Sequence, residues 1–411
     1  MDRRAFMGSL GVYGSVLAGA RAQGTSRAPK LKIREIRAVR IRGMNSRFVR
    51  VYTDQGLTGT GETLDTIGAE DIINKFLGPG LVGRDPLDIE AIYFDMYSFR
   101  SVPGGIPPVF MRGAGGGPYN AALSGIEMAL WDLAGKALGL PVYRLMGGRV
   151  RDKIAVYFDI SEPQRAAEVV KATGVRGIKD GAGAVITANN PTIGLDPGKD
   201  WNFTLTARQI DAVAAYVATM RETLGPDVGL AMDFSTRFDT ESAIQICKAL
   251  EPYRLMWIEE PIPSDNVDAM ANVRQHSHVP IACGENVYTR FGFRTFLEKQ
   301  AVSIIQPDMT KCGGLWETRK IAAMAEVYHI PIAPHGVASP LGETAFAHVC
   351  STVPNFMILE WAHHGQSWYD ELTTAPDYRD GFLHVPDTPG IGIEVHDEFV
   401  NDHREPGYPA I

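Results

Sequence analysis

Six residues capable of metal or proton chemistry recur in phase along this chain: Asp233, Glu259, Glu285, Asp308, His335 and Glu360, separated by 26, 26, 23, 27 and 25 residues. Each closes or nearly closes a short apolar run: Val228–Phe234, Leu255–Glu260, Ile281–Glu285, Ser303–Asp308, Ile330–His335 and Phe356–Trp361. Helical stretches separate the runs, and two further runs, Ile154–Phe158 and Gly177–Lys179, precede them. Eight strand–helix units beyond about Val150 fit a closed parallel barrel better than an open doubly wound sheet. A step of one unit returns each of the six residues to the same end of the barrel, so they converge on its mouth. No Gly-x-Gly-x-x-Gly follows any of these strands, which argues against a dinucleotide-binding fold.

The preceding residues have a different texture. From Leu31 the chain alternates apolar and basic residues, the period of a half-buried strand, and Phe48–Thr53 and Thr58–Thr63 flank the turn signal Asp54-Gln55-Gly56. A small antiparallel sheet is expected over residues 31–63, then helices around Ala69–Leu77, Asp88–Tyr97 and Ala121–Leu138. Residues 104–117 are rich in Gly and Pro and read as a surface loop that could serve as a lid. Residues 182–203 form the longest interruption among the strand–helix units and follow the second strand, where barrel loops build the active face. At the start, Arg3-Arg4 leads into an apolar, Gly-rich run ending in Ala20-Arg21-Ala22, the pattern of a twin-arginine export signal over residues 1–25. It implies a periplasmic or otherwise exported protein, with a cytoplasmic one as the alternative.

Three carboxylates on neighbouring strand ends repel one another unless a cation neutralises them. Hard oxygen ligands suit magnesium or manganese, so Asp233, Glu259 and Glu285 are the candidate metal ligands. Glu260 should point to the other side of its strand. A carboxylate beside an imidazole fixes its tautomer and raises its basicity, which makes His335 with Asp308 a candidate general base. A net charge of −8 gives no electrostatic footprint for nucleic acid, so small-molecule chemistry is expected. Cys247, Cys283, Cys312 and Cys350 lack metal or redox spacing and read as buried thiols.

Five stretches carry a family resemblance: residues 122–132 (ALSGIEMALWD), 257–261 (WIEEP), 284–286 (GEN), Pro307-Asp308 with 311–314 (KCGG), and 389–395. With them, residues 31–411 resemble the enolase superfamily, in its mandelate racemase-like branch, and most closely the sugar-acid dehydratases of galactonate type. The resemblance implies a modified TIM barrel, (β/α)7β, over residues 151–375, with an α+β capping domain at 26–150 completed by 376–411. It also implies magnesium ligation by Asp233, Glu259 and Glu285, a base dyad of His335 and Asp308, and Glu360 as the acid that meets the substrate carboxylate or its enediolate. Lys179 is expected to contact the substrate or stabilise enediolate charge, and Arg47 and Trp361 to line the substrate site. The expected partner is a sugar acid or hydroxy acid, with no nucleic acid, no membrane after signal removal, and assembly as a homo-oligomer.

Two positions depart from the family pattern. Racemases of this branch carry Lys-x-Lys at the end of strand two, where this chain has Lys179-Asp180-Gly181, and galactonate dehydratases carry a histidine where this chain has Ser235. The expected reaction is therefore dehydration of a sugar acid to a 2-keto-3-deoxy acid with one histidine as base. A racemase or epimerase, with Lys179 or a residue of 182–203 as the base opposite His335, is the alternative, a sugar-acid-binding protein without turnover the alternative of another class, and a metal-independent glycosidase a fourth.

Overall fold

Alternation between apolar and basic residues becomes β1 (Ile33–Arg40), which pairs antiparallel with β2 (Ser46–Thr53), and β2 in turn with β3 (Thr58–Leu64). The turn between β2 and β3 contains Gly56 at φ 81°, a left-handed conformation that suits a residue without Cβ. The computed structural model describes residues 29–64, 67–101, 116–181, 204–361 and 368–411, and Leu31–Ile411 form one unit. The segments 1–25 and 182–203 singled out above, and all of 104–117 except its last two residues, lie outside the described residues.

Helices α1 (Ile89–Tyr97) and α2 (Gly117–Leu138) follow the sheet. Close packing of α2 on β3 depends on two strand glycines: a Cβ on Gly59 would lie 2.2 Å from the Ala129 carbonyl oxygen, and one on Gly61 2.3 Å from that of Gly125.

The strand–helix units begin with β4 (Lys153–Asp159), α3 (Pro163–Thr173), β5 (Gly177–Gly181), α4 (Ala207–Leu224) and β6 (Gly229–Asp233). They continue through α5 (Thr240–Leu250), β7 (Trp257–Glu259), α6 (Val267–His276), β8 (Ile281–Cys283), α7 (Thr289–Glu298) and β9 (Ile304–Ile305). After α8 (Leu315–Val327) and α9 (Pro340–Thr352), β10 (Leu359–Glu360) ends the series. Strands β4 to β9 are parallel neighbours in chain order, and β10 returns to pair parallel with β4.

The expected seventh strand, Ile330–His335, is reduced to Ile332, which bridges Ile305 on one side and Phe356 on the other. Pro331 and Pro334 explain the reduction, since neither can donate to a ladder. Their carbonyls still accept, from Ile305 N at 3.2 Å and Glu360 N at 3.3 Å. Strands β4 and β5 run slightly past their expected ends, whereas β6 to β10 end earlier than expected, β7 and β8 where a positive φ turns the chain, at Glu260 (φ 36°) and Gly284 (φ 142°).

The C-terminal segment serves both parts. The hairpin β11 (Tyr378–Arg379) and β12 (Phe382–His384) pairs antiparallel with the start of β4. Farther on, α10 (Asp397–His403) precedes a bridge from Arg404 to Ile41, and Arg37 donates to the Ala410 carbonyl at 2.9 Å.

Helix α2 is buried around nearly all its circumference, and its polar residues fasten it to the barrel. Glu127 accepts from Leu315 N at 2.7 Å and Trp316 N at 2.9 Å, so it caps α8, while Ser124 Oγ accepts from Gly313 N at 2.9 Å. Glu62 of β3 does the same for α9, accepting from Ser339 N at 2.9 Å and Gly342 N at 3.1 Å. Carboxylates at helix N-termini satisfy otherwise unpaired N–H groups and meet the positive end of the helix dipole. Burial still pushes Glu127 up, to about 7. The stretch 122–132 is thus a docking device, with Asp132 holding Thr60 N and Ile391 N, each at 2.9 Å.

His348 of α9 is wholly buried between the same parts: its Nδ1 accepts from Tyr143 N at 3.3 Å and its Nε2 donates to the Ile391 carbonyl at 2.9 Å. Burial holds the imidazole down, at about 4. The unfolded chain binds a proton at this residue below about pH 6.5 and the folded one does not, so stability falls as pH drops from there towards 4. The expected loss is about 3 kcal/mol by pH 4. Urea unfolding across this range should show a shallower acid limb in His348→Gln than in the unaltered protein; parallel limbs would exclude the residue as a cause.

The four cysteines are buried and free. No helix among the described residues is long and apolar enough to cross a membrane.

Candidate active site

The barrel interior is stacked in layers by the two-residue period of its strands. Tyr157, Ala231, Trp257, Ala282, Ile304, Ala333 and Ile358 form a closed apolar floor, in which three alanines leave room for the Trp257 indole. Two residues onward along the same strands come Asp233, Glu259, Gln306, His335 and Glu360, the polar layer at the mouth.

Asp233, Glu259 and Glu285 each bring one oxygen to within 4.8 Å of the others. Burial pushes Glu259 up to about 8 even though the Lys179 ammonium pulls the other way, and Asp233 is raised for the same reason. Glu259 and Asp233 ionise together only if positive charge joins them. An all-oxygen donor set of this kind fits a hard divalent cation. Glu260, next in sequence, faces away from the three, accepting from Gly284 N at 3.3 Å and Cys283 Sγ at 3.4 Å.

Opposite the carboxylates, His335 Nδ1 lies 2.8 Å from Asp308 Oδ2. Asp308 is completely buried, yet the Lys311 ammonium at 3.5 Å, with His335 and Thr310, holds its carboxyl down at about 2. An ionised Asp308 accepts the Nδ1 proton, which leaves Nε2 as the working nitrogen. That nitrogen faces Glu285 Oε2 at 3.3 Å and Glu360 Oε2 at 4.0 Å. Burial disfavours the imidazolium, but Glu285, Glu360 and Asp308 outweigh it and raise His335 to about 10.

Lys179 lies in the middle of β5 with its ammonium 2.8 Å from Glu360 Oε1, 3.3 Å from Glu259 Oε1 and 3.7 Å from Asp233 Oδ2. These carboxylates raise its pKa well above the ordinary lysine value against the cost of burial. It is a fixed cation.

A cavity of about 410 Å³ opens beside Glu360 and is lined by Asn45, Ser46, Asp159, Trp361 and Trp368 among others. Trp361, expected in the substrate site, is part of this lining and stacks on Tyr378 at 5.8 Å. Arg47 is not in the lining: its buried guanidinium is committed to Glu70 at 3.5 Å and to the Asn45 carbonyl. A cation at that depth needs a counter-ion, and Glu70 supplies it. Asp180, the middle residue of Lys179-Asp180-Gly181, points away from the site and accepts from Tyr216 Oη.

A capped α/β barrel with an oxygen-donor cradle beside a histidine–carboxylate pair defines the class. Residues 163–399 match the family "Enolase C-terminal domain-like", and residues 38–147 the N-terminal domain of the mandelate racemase/muconate lactonizing enzyme family. The chain belongs to that family. Among its relatives is a D-xylonate dehydratase of Haloferax volcanii, 38% identical over 367 residues, which span 88% of this chain and 85% of the relative. Another is a D-galactonate dehydratase of Ralstonia pickettii, 34% identical over 86% of this chain and 89% of the relative. A mandelate racemase/muconate lactonizing enzyme-like protein of Rubrobacter xylanophilus superposes with TM-score 0.81 at 36% identity, over 93% of this chain and 99% of its own.

Proposed function

We propose that this chain is a magnesium-dependent sugar-acid dehydratase that forms a 2-keto-3-deoxy acid. The observation that carries the choice of reaction is Lys179: locked among Glu360, Glu259 and Asp233, it cannot serve as a second base opposite His335. Two-base racemisation therefore has no partner for His335 among the described residues of the cradle, whereas elimination needs only one base.

Asp233, Glu259 and Glu285 would hold the magnesium ion. When bound, the ion supplies positive charge to the substrate carboxylate and so acidifies the neighbouring C–H. With the charge of Glu285, the group that most favours the imidazolium, engaged by the ion, His335 is neutral, and its Nε2 removes the proton at C2, with Asp308 stabilising the imidazolium that forms. The ammonium of Lys179 faces the enediolate and supports its charge, while Glu360 keeps that ammonium in place. The C2–C3 double bond forms as the C3–O bond breaks, and the imidazolium returns its proton to the departing hydroxide, giving water. The enol tautomerises to the keto acid. A histidine at the Ser235 position is not needed in this sequence.

The names of the dehydratase relatives support the substrate class, with D-xylonate and D-galactonate the first acids to try. Purified protein with magnesium and a sugar-acid library is expected to yield a semicarbazide-reactive keto acid from at least one member; no product from any member would contradict the proposal. Export by the twin-arginine route belongs to the same proposal and rests on residues 1–25 alone. Cell fractionation of the expressed full chain reads it, and a purely cytoplasmic location would oppose it.

A further inference from the structure

Every one of the three cradle carboxylates has one oxygen occupied by neutral donors. Glu259 Oε2 accepts from Trp257 Nε1 at 3.0 Å and from Gln306 Nε2 at 2.7 Å. Asp233 Oδ1 accepts from Ser235 N at 2.7 Å and Ser235 Oγ at 3.3 Å, and Glu285 Oε1 from Asn286 Nδ2 at 2.8 Å. The other oxygens, Asp233 Oδ2, Glu259 Oε1 and Glu285 Oε2, face the charged groups of the site, Lys179 and His335.

The donors on Glu259 are the most deeply set. Trp257 and Gln306 are both fully buried, Trp257 in the floor layer and Gln306 in the layer above. The Gln306 amide can turn only its NH2 towards an ionised carboxylate, which accepts and never donates. Its Oε1 is left buried with no partner among the described residues. Burying an unpaired amide oxygen costs free energy, so the Nε2 bond is the contact that this side chain is placed to make. Being neutral, both donors orient Glu259 without cancelling the charge a cation needs.

We propose that Trp257 and Gln306 are positioning residues that reserve Glu259 Oε1 for the metal and, with Ser235 and Asn286, restrict all three carboxylates to one ligating oxygen each. Single-oxygen ligation suits Mg2+, which demands a compact octahedral shell, and works against Ca2+, whose larger shell readily takes both oxygens of a carboxylate. The four donors therefore set a preference for the smaller ion. This rests on the reading of Asp233, Glu259 and Glu285 as a magnesium cradle.

The test is calorimetric titration of Mg2+ and, separately, Ca2+ into the full chain, its Gln306→Leu and Trp257→Phe variants, and Asn286→Ala. Asn286 is exposed, so its variant does not disturb the core. Removing partners that orient metal ligands weakens binding by roughly 10–100-fold, and that loss is expected for Mg2+ in Gln306→Leu and Trp257→Phe. Ca2+ should lose much less, narrowing the Mg2+/Ca2+ preference about tenfold, with a smaller narrowing in Asn286→Ala. Melting of the metal-free variants separates packing from positioning: a lowered Tm with the ion preference unchanged in all three would overturn the proposal. An unaltered chain that binds neither ion would overturn the cradle reading itself, a result the variants alone cannot produce.

Discussion

His335→Asn should lose about 10³–10⁴-fold in kcat on whichever sugar acid the enzyme turns over, with KM changed only a few-fold. The asparagine amide can still donate to Asp308 Oδ2, which His335 Nδ1 meets at 2.8 Å, so the buried Asp308 keeps a partner. What the substitution removes is Nε2, the nitrogen facing Glu285 and Glu360 across the cradle. A general base acts on the transition state far more than on the bound substrate, which is why kcat carries the loss. Steady-state kinetics with a matched metal titration makes the comparison: unchanged kcat would remove His335 from the chemistry, and lost magnesium binding would reassign it to the metal.

The second large effect is expected at Lys179. Lys179→Met keeps the length of the side chain and deletes its charge, leaving Glu360, Glu259 and Asp233 without the ammonium that lies between 2.8 and 3.7 Å from them. Breaking a buried ion pair by removing one partner typically costs about 3–5 kcal/mol, and the metal-free variant should lose stability on that scale. Magnesium should restore much of the loss, because a second cation enters the same carboxylates. It should also bind more tightly, on the order of tenfold or more, once the repulsion from the ammonium is gone. Turnover should nonetheless fall, by roughly 10²–10³-fold, since the enediolate loses a fixed positive neighbour. Tighter metal with slower chemistry is the signature; weaker metal binding would show that Lys179 supports the cradle instead of competing with the ion.

The six-residue phase was enough to read the barrel and its chemical end, because strand ends spaced by one strand–helix unit can converge in only one way. Asp233, Glu259 and Glu285 do meet, and His335 does pair with Asp308. The length of each strand was less legible. Pro331 and Pro334 reduce the seventh to a single bridging residue, and Glu260 and Gly284 turn the chain out of the ladder through positive φ, details that an apolar run does not encode.

The residues sequence reasoning missed are neutral or doubly interpretable. Trp257 looks like core and is core, but its indole N–H also reaches Glu259. Gln306 sits two residues before Asp308, and that spacing was the available signal that it faces the barrel interior. For Arg47 the sequence shows a cation expected to line the substrate site, while its burial 3.5 Å from Glu70 is visible only in the fold. Lys179 could be read from sequence as base, substrate ligand or ion-pair partner. Its three carboxylate distances remove the first of these.

The central claim is a single-base elimination at this site, and proton NMR of the magnesium-loaded enzyme turning over its sugar acid in D2O tests it most directly. The account predicts a 2-keto acid carrying one deuterium at C3, put there when the enol takes a solvent proton, without conversion of the substrate to its C2 epimer. Recovered substrate deuterated at C2 and accompanied by that epimer, with no keto acid formed, would contradict it and restore racemisation.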